Sequence, residues 1–364
     1  MVMDMKRIIG IVLAAGKGTR MYPFSDTIPK VMIPFWGKPL LAYHVEEFLK
    51  ADINDIVLIC SNDNIGMIKD YFDANYPNAN ISYAIQESPQ GPSSAIESAS
   101  KHISNSMGLI KFGDNITSVS LAKALLENYN GYSNGIITLR EVENPSDYGI
   151  AVIQDDSIIE LVEKPDNPPS SLASMGGFLL DCDILLSAIR KYGYYSSRNG
   201  VKVEMPLPQY FFMQGIRLGY AILNEPVLDV GRPFDIIIAN KLFSDNNGSS
   251  VSYIGDGARI GRNCVIKGAC SIEGIVGDDC IIEDSYIMKG SSIGNKTLVS
   301  RSVIGENVVI GENVSLVSGL STVIIKGKPV KPNMPIGSFI GSNAVIRDNA
   351  IINPGIIVNP GSRM

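Results

Sequence analysis

The chain has 364 residues, 45% of them hydrophobic, and this length and composition predict a large buried core divided between two domains. Its formal net charge of −6 argues against nucleic-acid or membrane-surface binding as the main activity. An acidic protein that handles anionic ligands must concentrate its positive charge locally, so individual lysines and arginines are informative.

Cysteine usage and the first residues indicate a cellular compartment. The five cysteines form no CxxC pair and their number is odd, which favours reduced thiols over a disulfide framework. The apolar run 8–15 is short and is followed by Lys17 and Arg20, so it fits a buried strand better than a signal peptide. No apolar stretch reaches the roughly 18 residues of a membrane helix. We expect a cytoplasmic protein with neither a membrane nor a nucleic acid as partner.

From residue 7 to about residue 243, short apolar strands alternate with amphipathic helices. In chain order the predicted elements are RIIGIVLAA (strand), PLLAYHVEEFLKA (helix, with Pro39 in its first turn), DIVLIC (strand), GMIKDYF (helix), ISYAIQ (strand), SAIESASKHI (helix) and MGLIKFGD (strand). This alternation predicts an α/β fold with a Rossmann-like mixed, mostly parallel sheet that carries helices on both faces.

A different pattern begins after SDNNGSS (244–250), which reads as a polar linker. From there on, an aliphatic residue recurs every six positions. Each six-residue repeat is expected to stack its aliphatic residue on that of the next repeat, and the pattern resembles the hexapeptide repeat of left-handed parallel β-helices. We expect domains at 1–245 and 246–364, with 318–335 as an insert that forms a loop or hairpin. An aliphatic residue recurs every six positions, at 254, 260, 266 and 272, in a shifted register at 275, 281, 287, 293 and 299, then at 304, 310 and 316, and again at 340, 346, 352 and 358.

The stretch IVLAAGKGTRMYPFSDTIPK (11–30) has the composition of a phosphate-binding loop. A P-loop requires Ser or Thr after its lysine, where Gly18 stands, and the dinucleotide fingerprint requires a third glycine where Met21 stands. Both of these common templates therefore fail. The glycines nevertheless let backbone N–H groups approach an anion, while Arg20 can bind a polyphosphate in bidentate fashion and Lys30 adds a point charge.

The longer run LAAGKGTRMYPFSDTIPKVMIPFWGKPLL resembles the signature of sugar-phosphate nucleotidyltransferases, the nucleotide-sugar pyrophosphorylases, of the glucose-1-phosphate thymidylyltransferase type. The resemblance continues to residue 243, and a β-helix tail occurs in several branches of the family. It implies a GT-A-like fold and an EC 2.7.7 reaction, in which a sugar 1-phosphate attacks the α-phosphorus of a nucleoside triphosphate and releases pyrophosphate. Because two polyanions must meet, such a catalyst supplies positioning, cations and Mg²⁺.

The resemblance assigns roles to particular residues. Asp114 of KFGDN and Asp229 of EPVLDVGRPFD match the family's two Mg²⁺ carboxylates, although each alone is more typical of a helix N-cap or turn. The catalytic cations would be Arg20, Lys30 and Lys164. The nucleotide would be bound by Leu13, Ala14, Ala15, Gly16, Gly18, Thr19, Gln86 and Gly91. The sugar phosphate would be bound by Tyr148, Gly149, Glu163, Lys164 and Gly177.

The segment AIQESPQGPSSAI indicates the nucleobase. Gln86 carries a donor and an acceptor on one amide, so it can pair with the N3–H and a carbonyl of a pyrimidine. We expect dTTP or UTP as donor and glucose 1-phosphate as acceptor. Mannose-1-phosphate guanylyltransferase and N-acetylglucosamine-1-phosphate uridylyltransferase activities are the alternatives. Two neighbouring positions depart from the family, since Pro92 lacks an N–H and Ser93 stands where Ala is common.

Two further departures from the family pattern concern side chains near the expected site. Asp229 lacks the tryptophan that often precedes it, and the only tryptophan of the chain is Trp36 in PFWGKP. Glu204 in VEMPLPQYF occupies the place of an acidic residue near the sugar, but the usual following pattern is absent. Because the charged groups of the resemblance are all present, we interpret these departures as changes in packing and ligand preference.

The β-helix repeats show no catalytic groups of their own. Acetyl transfer and zinc chemistry in such domains use histidines, and the only two, His44 and His102, lie on predicted helices of the first half. We expect this region to support assembly, with the chain as a homo-oligomer, or regulation. A non-catalytic regulatory subunit is the alternative from another class. It is disfavoured because all five charged residues remain, namely Arg20, Lys30, Asp114, Lys164 and Asp229.

Overall fold

The computed structural model describes residues 6–131, 134–198, 201–246 and 252–364, and the chain forms two compact units. The first holds the described residues up to Gly16 and those from Leu41 to Val227. The second holds Lys17–Leu40 together with Leu228–Met364. The sequence pattern changes near residue 245, whereas the packing groups two earlier pieces, 17–40 and 228–245, with the C-terminal repeats.

A nine-stranded sheet forms the first unit. Its strands are β1 (Arg7–Leu13), β2 (Asp55–Cys60), β3 (Asn80–Ile85), β4 (Ser106–Phe112), β5 (Gly135–Glu141), β6 (Gly149–Gln154), β7 (Ser157–Glu163), β8 (Leu172–Asp181) and β9 (Gly219–Ile222). The order β7-β6-β8-β4-β1-β2-β3 forms its main path, β5 pairs with β8 of this path, and β9 pairs with β5. The four strands β4, β1, β2 and β3 are mutually parallel, while β8 is antiparallel to its neighbours β4, β5 and β6. The predicted mixed, mostly parallel sheet is confirmed.

Eight helices precede the repeats, besides short two-stranded pairs and 3-10 turns among the described residues. Each presents apolar residues at helical spacing, and residues such as Ile96, Ile103, Leu185 and Tyr210 are fully buried against the sheet core. The helices are α1 (Leu40–Lys50), α2 (Ile65–Asn75), α3 (Gly91–Ser98), α4 (Ser100–Ile103), α5 (Leu121–Asn128), α6 (Cys182–Tyr192), α7 (Gln209–Phe212) and α8 (Asp235–Asn246). Among the described residues, no helix is long and apolar enough to cross a membrane.

The strand directions gather loops at one edge of the sheet. Because β1, β2, β3 and β4 are parallel, the segments that follow them emerge together. Strand β8 extends beyond the end of β4, since Gly177 pairs with Lys111 while Ala173 pairs with Ile150 of β6. The base of the β6–β7 hairpin is thereby brought to the same edge, which is where a ligand site of an open α/β sheet is expected.

The second unit contains the predicted left-handed β-helix, which is confirmed as three parallel sheets of very short strands. The first sheet comprises Tyr253–Ile254, Ser271–Ile272, Tyr286–Ile287, Val303–Ile304, Phe339–Ile340 and Ile357–Val358. The second comprises Arg259–Ile260, Ile275–Val276, Ser292–Ile293, Val309–Ile310 and Val345–Ile346. The third comprises Val265–Lys267, Ile281–Glu283, Leu298–Ser300, Ser315–Leu316 and Ile351–Ile352.

The register predicted for the second coil is wrong. Ile275 and Ile281 are 49% and 40% exposed, while Val276 and Ile282 fill the core beside them. The cause is a shorter turn between the strands after Ile272. The next core residue, Val276, therefore follows four positions later instead of six. Since side chains alternate along a strand, the second residue of each pair then faces inward.

The predicted linker and insert are partly visible. Helix α8 continues to Asn246, so the first residues of the predicted linker 244–250 are helical, and residues 247–250 lie outside the described residues. Within the predicted insert 318–335, Val323–Ile325 and Lys328–Val330 pair as an antiparallel hairpin. The boundary of the insert itself stays a prediction.

Neighbouring isoleucines of one strand provide a matched test of the β-helix core. Ile352 is 4% exposed and Ile351 is 71% exposed. Because Ile352→Ala leaves a cavity, we expect it to lower the free energy of unfolding by about 2–5 kcal/mol. Ile351→Ala should change it by less than about 0.5 kcal/mol. Urea unfolding followed by circular dichroism measures both, and equal destabilisation would contradict the assigned strand orientation.

Candidate active site

The glycine turn begins directly at the end of β1. Ala14 N donates to Ile59 O at 2.8 Å, and Asn64 Nδ2 donates to Ala14 O at the same distance, so the backbone of the turn is held at both sides. Leu13 is half-buried, Ala14 and Ala15 are buried, and Gly16 is exposed. A Cβ on Gly16 would meet no atom within 4 Å. The protein itself therefore leaves space beside this predicted nucleotide-binding residue.

Gly18 and Thr19 follow in the second unit. Gly18 has φ +60°, and an added Cβ would lie 2.6 Å from the Cβ of Lys30. Both the left-handed backbone and the close side chain require glycine here. The 3-10 turn Thr19–Met21 follows, with Met21 N donating to Gly18 O at 2.8 Å and Thr19 exposed to solvent.

Lys30, Asp229 and Arg20 form one cluster of the second unit. The Lys30 ammonium is 3.2 Å from Asp229 Oδ1, and the Arg20 Nη2 is 3.9 Å from Asp229 Oδ2. The Lys30 side chain is only 7% exposed, whereas those of Arg20 and Asp229 are 64% and 56% exposed. A lysine so deeply buried needs a charged partner, while the other two groups remain accessible to a ligand.

Asp235 was not predicted from the sequence, but it supports the turn that carries Asp229. Its Oδ2 accepts hydrogen bonds from Gly231 N at 2.9 Å and Arg232 N at 2.7 Å. Burial, with a further contribution from the negative charge of Asp229, raises the pKa of Asp235 to about 6. The available signal was an aspartate at the start of a helix, a common capping pattern that carries no specific meaning by itself.

Gln86 follows β3 and is buried against the first turn of α3. Its Nε2 donates to Gly91 O at 3.0 Å and to Ser94 Oγ at 2.6 Å, and its backbone N donates to Cys60 O at 2.8 Å. The Gly91 carbonyl can only accept, which fixes the direction of the amide. Both amide hydrogens are thus engaged within the protein, and the Gln86 side chain borders a cavity of about 380 Å³.

Gly91 and Glu204 also lie together. Gly91 has φ +85°, and an added Cβ would be 2.8 Å from Glu204 Cδ. The two departures beside Gly91 have local explanations. Pro92 is the second residue of α3, where an N–H has no partner within the helix, and the buried Ser93 hydroxyl donates to Met205 O at 3.3 Å.

Asp114 follows β4 and is half-buried beside a bulge of β8. The pairing of β8 with β5 shifts register between Ser174 and Phe178, and Gly176 in that interval has φ +75°. A Cβ on Gly176 would be 2.9 Å from Asn115 Nδ2, and one on Gly177 would be 2.9 Å from Thr138 Oγ1. Gly176 therefore allows β8 to approach the segment that carries Asp114, and Gly177 allows it to approach Thr138 of β5.

Four of the five predicted sugar-phosphate residues lie together at the base of the β6–β7 hairpin, whereas Gly177 lies on β8 opposite Lys111. Glu163 pairs with Gly149 across the strands, and Lys164 N donates to Tyr148 O at 2.8 Å. Lys164 has φ +42°, a conformation that is strained for a lysine and often occurs at functional sites. The side chains of Tyr148, Glu163 and Lys164 are exposed. Tyr148 also lines a polar cavity of about 650 Å³ formed by the 140–148 loop.

A buried ion pair behind Asp114 was also not predicted. Lys111 is 2% exposed on β4 and contacts the Glu47 carboxylate of α1. Glu47 Oε1 in turn accepts hydrogen bonds from Ser120 Oγ at 3.1 Å and Ala122 N at 2.7 Å. Nearby, burial and the Lys111 charge lower the pKa of His44 well below its ordinary value, so His44 is neutral. The pair ties β4 to α1 and to the start of α5.

Comparison with known proteins identifies the family to which the chain belongs. Residues 9–245 match the family described as nucleotidyl transferase, and residues 248–364 match the GMPPB C-terminal domain. The chain belongs to the nucleotidyl transferase family, within its sugar-phosphate branch.

Individual relatives fall in the same branch. The chain is 32% identical over 260 residues to the bifunctional protein GlmU of Methanocaldococcus jannaschii, which covers 71% of this chain and 58% of that protein. It is 32% identical over 233 residues to the glucose-1-phosphate thymidylyltransferase of Mycobacterium tuberculosis, covering 63% and 79% respectively. A crystal structure of UDP-glucose pyrophosphorylase complexed with UDP-glucose superposes with a TM-score of 0.57 at 25% identity, covering 66% of this chain and 99% of that chain.

The match to some relatives is partial. The chain spans 58% of the length of the M. jannaschii GlmU and 65% of that of the nucleotidyltransferase Agl11 of Haloferax volcanii.

The hairpin glycine offers a direct test of the sugar-phosphate residues. A Cβ on Gly149 would lie 3.0 Å from Glu163 Oε2, so Gly149→Ala should displace that carboxylate by a few tenths of an ångström. We expect the KM for the sugar phosphate to rise about threefold to tenfold, with the KM for the nucleotide unchanged. Gly257→Ala is the matched control, because its Cβ would meet no atom within 4 Å. A rise in only the nucleotide KM would contradict the assignment.

Proposed function

We propose that the chain transfers a nucleotidyl group from dTTP or UTP to a sugar 1-phosphate, with glucose 1-phosphate as the first candidate, and releases pyrophosphate. The observation that carries the proposal is the cluster of Lys30, Arg20 and Asp229, together with membership of the nucleotidyl transferase family. An acidic protein that places a buried lysine and an accessible arginine on one glycine loop has a local anion site.

The reaction demands little covalent chemistry from the protein. An oxygen of the sugar phosphate forms a bond to the α-phosphorus while the bond to the α–β bridging oxygen breaks, and pyrophosphate leaves with that electron pair. No proton has to move, so the protein stabilises charge and aligns the two phosphates. We assign Arg20 and Lys30 to the departing pyrophosphate, whose negative charge grows as the bond breaks.

The acceptor is assigned to the β6–β7 hairpin. Lys164 would bind the sugar phosphate, while Glu163 would accept hydrogen bonds from sugar hydroxyls. The exposed side chains of Tyr148, Glu163 and Lys164, and the strained backbone of Lys164, support this assignment. Gly149 leaves room for the Glu163 carboxylate, as its Cβ contact distance indicates.

Asp114 and Asp229 are proposed as the carboxylates that hold Mg²⁺. Their oxygen donors fit this ion, and among the described residues no group of three or more His, Cys, Asp or Glu side chains could hold a metal. Two carboxylates would leave the other positions to phosphate oxygens and water, the arrangement that Mg²⁺ prefers. When bound, Mg²⁺ supplies neutralisation of phosphate charge.

The pyrimidine preference rests on Gln86. Its amide nitrogen is engaged by Gly91 O and Ser94 Oγ, so in this arrangement Gln86 offers an approaching base its carbonyl oxygen. That oxygen can accept the N3–H of uracil or thymine as well as the N1–H of guanine. The predicted second contact, from the Gln86 amide to a pyrimidine carbonyl, is not made in this arrangement because both amide hydrogens are engaged.

A pyrophosphate-release assay over dTTP, UTP, GTP, ATP and CTP, each with glucose, mannose and N-acetylglucosamine 1-phosphates, tests the proposal. We expect the highest kcat/KM with a pyrimidine nucleotide and glucose 1-phosphate. Preference for GTP with mannose 1-phosphate would overturn the pyrimidine assignment, and no release with any pair would favour a regulatory subunit.

Two aspartate variants complete this assay. Asp114→Ala should lower kcat by at least about 100-fold, because it removes a group that holds the charge-neutralising ion. Asp70→Ala, which removes an exposed carboxylate from α2, should leave it unchanged. Equal activity of the two variants would refute the role of Asp114.

A further inference from the structure

The segment 17–40, which carries Arg20 and Lys30, packs on the β-helix within the second unit. One contact lies at Tyr286, whose fully buried side chain points outward from the first sheet of the β-helix. Its hydroxyl donates to Pro34 O, from which it is 252 residues away in sequence, and its ring centroid is 5.7 Å from that of Phe35. This contact joins the two parts of the unit through buried aromatic surface.

Trp36 provides a second attachment beside the first. Its ring is stacked on Tyr253 with centroids 5.6 Å apart, and its Nε1 donates to Asn240 Oδ1 at 2.8 Å. The Asn240 amide nitrogen donates in turn to Ala269 O at 2.7 Å, so the indole is tied to the β-helix backbone through one buried side chain. Gly37 is required here, because a Cβ would lie 2.2 Å from the Tyr253 hydroxyl. The only tryptophan of the chain thus has a structural partner in the repeats.

A third attachment lies on the other side of Lys30. The Tyr22 hydroxyl donates to Asn359 Oδ1 at 2.5 Å, and Thr27 Oγ1 donates to Ser342 Oγ at 3.1 Å. The insert hairpin adds Lys326, whose ammonium is 3.5 Å from Asp26 Oδ1 and 5.3 Å from the Tyr22 ring centroid. These contacts are partly exposed, so each is weaker than the buried aromatic ones.

The attachments follow the length of the β-helix. Tyr253 belongs to the first strand of the first sheet, Tyr286 to the third, and Asn359 directly follows the last. Lys30 lies between the attachments at 22–27 and 34–37, and Arg20 lies two residues before Tyr22. Holding a long loop in one conformation costs conformational entropy at every ordered residue, so the contacts that offset this cost determine where the cations lie.

We propose that the β-helix positions the triphosphate-binding cations, with Tyr286, Tyr253 and Asn359 as positioning residues for Arg20 and Lys30. This role rests on the proposed function and goes beyond assembly or regulation. The β-helix would contribute to catalysis without touching a substrate, by fixing the loop that does.

Two variants of the full chain test this role. Tyr286→Phe keeps the ring and removes the hydroxyl that binds Pro34 O, and Asn359→Ala removes the exposed acceptor of Tyr22. The control is Arg262→Ala, which removes an exposed β-helix side chain whose Nη2 donates to Asp278 Oδ2 at 2.8 Å. Hydrogen–deuterium exchange and steady-state kinetics are measured on all three.

We expect amides of the segment 17–40 to exchange about tenfold faster in Tyr286→Phe, with those of β1 unchanged. The KM for the nucleotide should rise about threefold to tenfold while the KM for the sugar phosphate stays constant. The Arg262→Ala control should match the unaltered chain in both measurements.

Unchanged exchange of the segment 17–40 in both test variants would overturn the proposal, as would faster exchange with unchanged nucleotide KM. Hydrogen exchange requires no turnover. If no nucleotide is transferred by any variant while exchange of the segment still accelerates, the proposed function fails and the attachment of the segment to the β-helix stands.

Discussion

The pairing of Lys30 with Asp229 is the interaction on which the second unit depends. A lysine that is 7% exposed requires a counter-charge, and its ammonium finds one at 3.2 Å. The neighbouring structure is adapted to that pair, because Gly18 has no side chain where the Lys30 stem passes and Asp235 supports the turn that presents Asp229. Removal of Asp229 would take this counter-charge from a nearly buried ammonium, which is destabilising.

In the proposed function, the same pair accounts for how a protein of negative net charge could bind polyanionic substrates. Its formal net charge is −6, yet Arg20 and Lys30 face one carboxylate that remains open to solvent. In the proposed function, Arg20 and Lys30 would stabilise the charge of the departing pyrophosphate from positions that the protein fixes in advance. The segment that carries these cations packs on the β-helix through Tyr286 and Trp36. These contacts offset the entropy cost of holding the cations in place.

Most of the architecture could be predicted from the sequence, because periodic patterns determine it. Alternating strands and helices predict the parallel sheet, and six-residue spacing predicts the β-helix. The inward or outward orientation of Ile275 and Ile281 could not be predicted. Each stands next to a second aliphatic residue, and the length of the preceding corner of the β-helix decides which of the two faces the core.

The site could be predicted only as far as its motif extends. The resemblance names Lys30 and Asp229 separately, but their ion pair and its supports involve distant partners that no local pattern reveals. Lys111 with Glu47, Tyr286 with Pro34, and Asp235 with its turn are all contacts of this kind. Such pairs depend on tertiary packing, so a structure is needed to find them.

Nucleotidyl transfer is tested most directly by following the α-phosphate. The chain is incubated with glucose 1-phosphate, Mg²⁺ and a pyrimidine nucleoside triphosphate radiolabelled at the α-phosphorus, and the products are separated. Attack at the α-phosphorus predicts label in a nucleotide sugar, with unlabelled pyrophosphate released in equal amount. Label that remains in a nucleoside diphosphate, with phosphate passed to the sugar, would contradict the account.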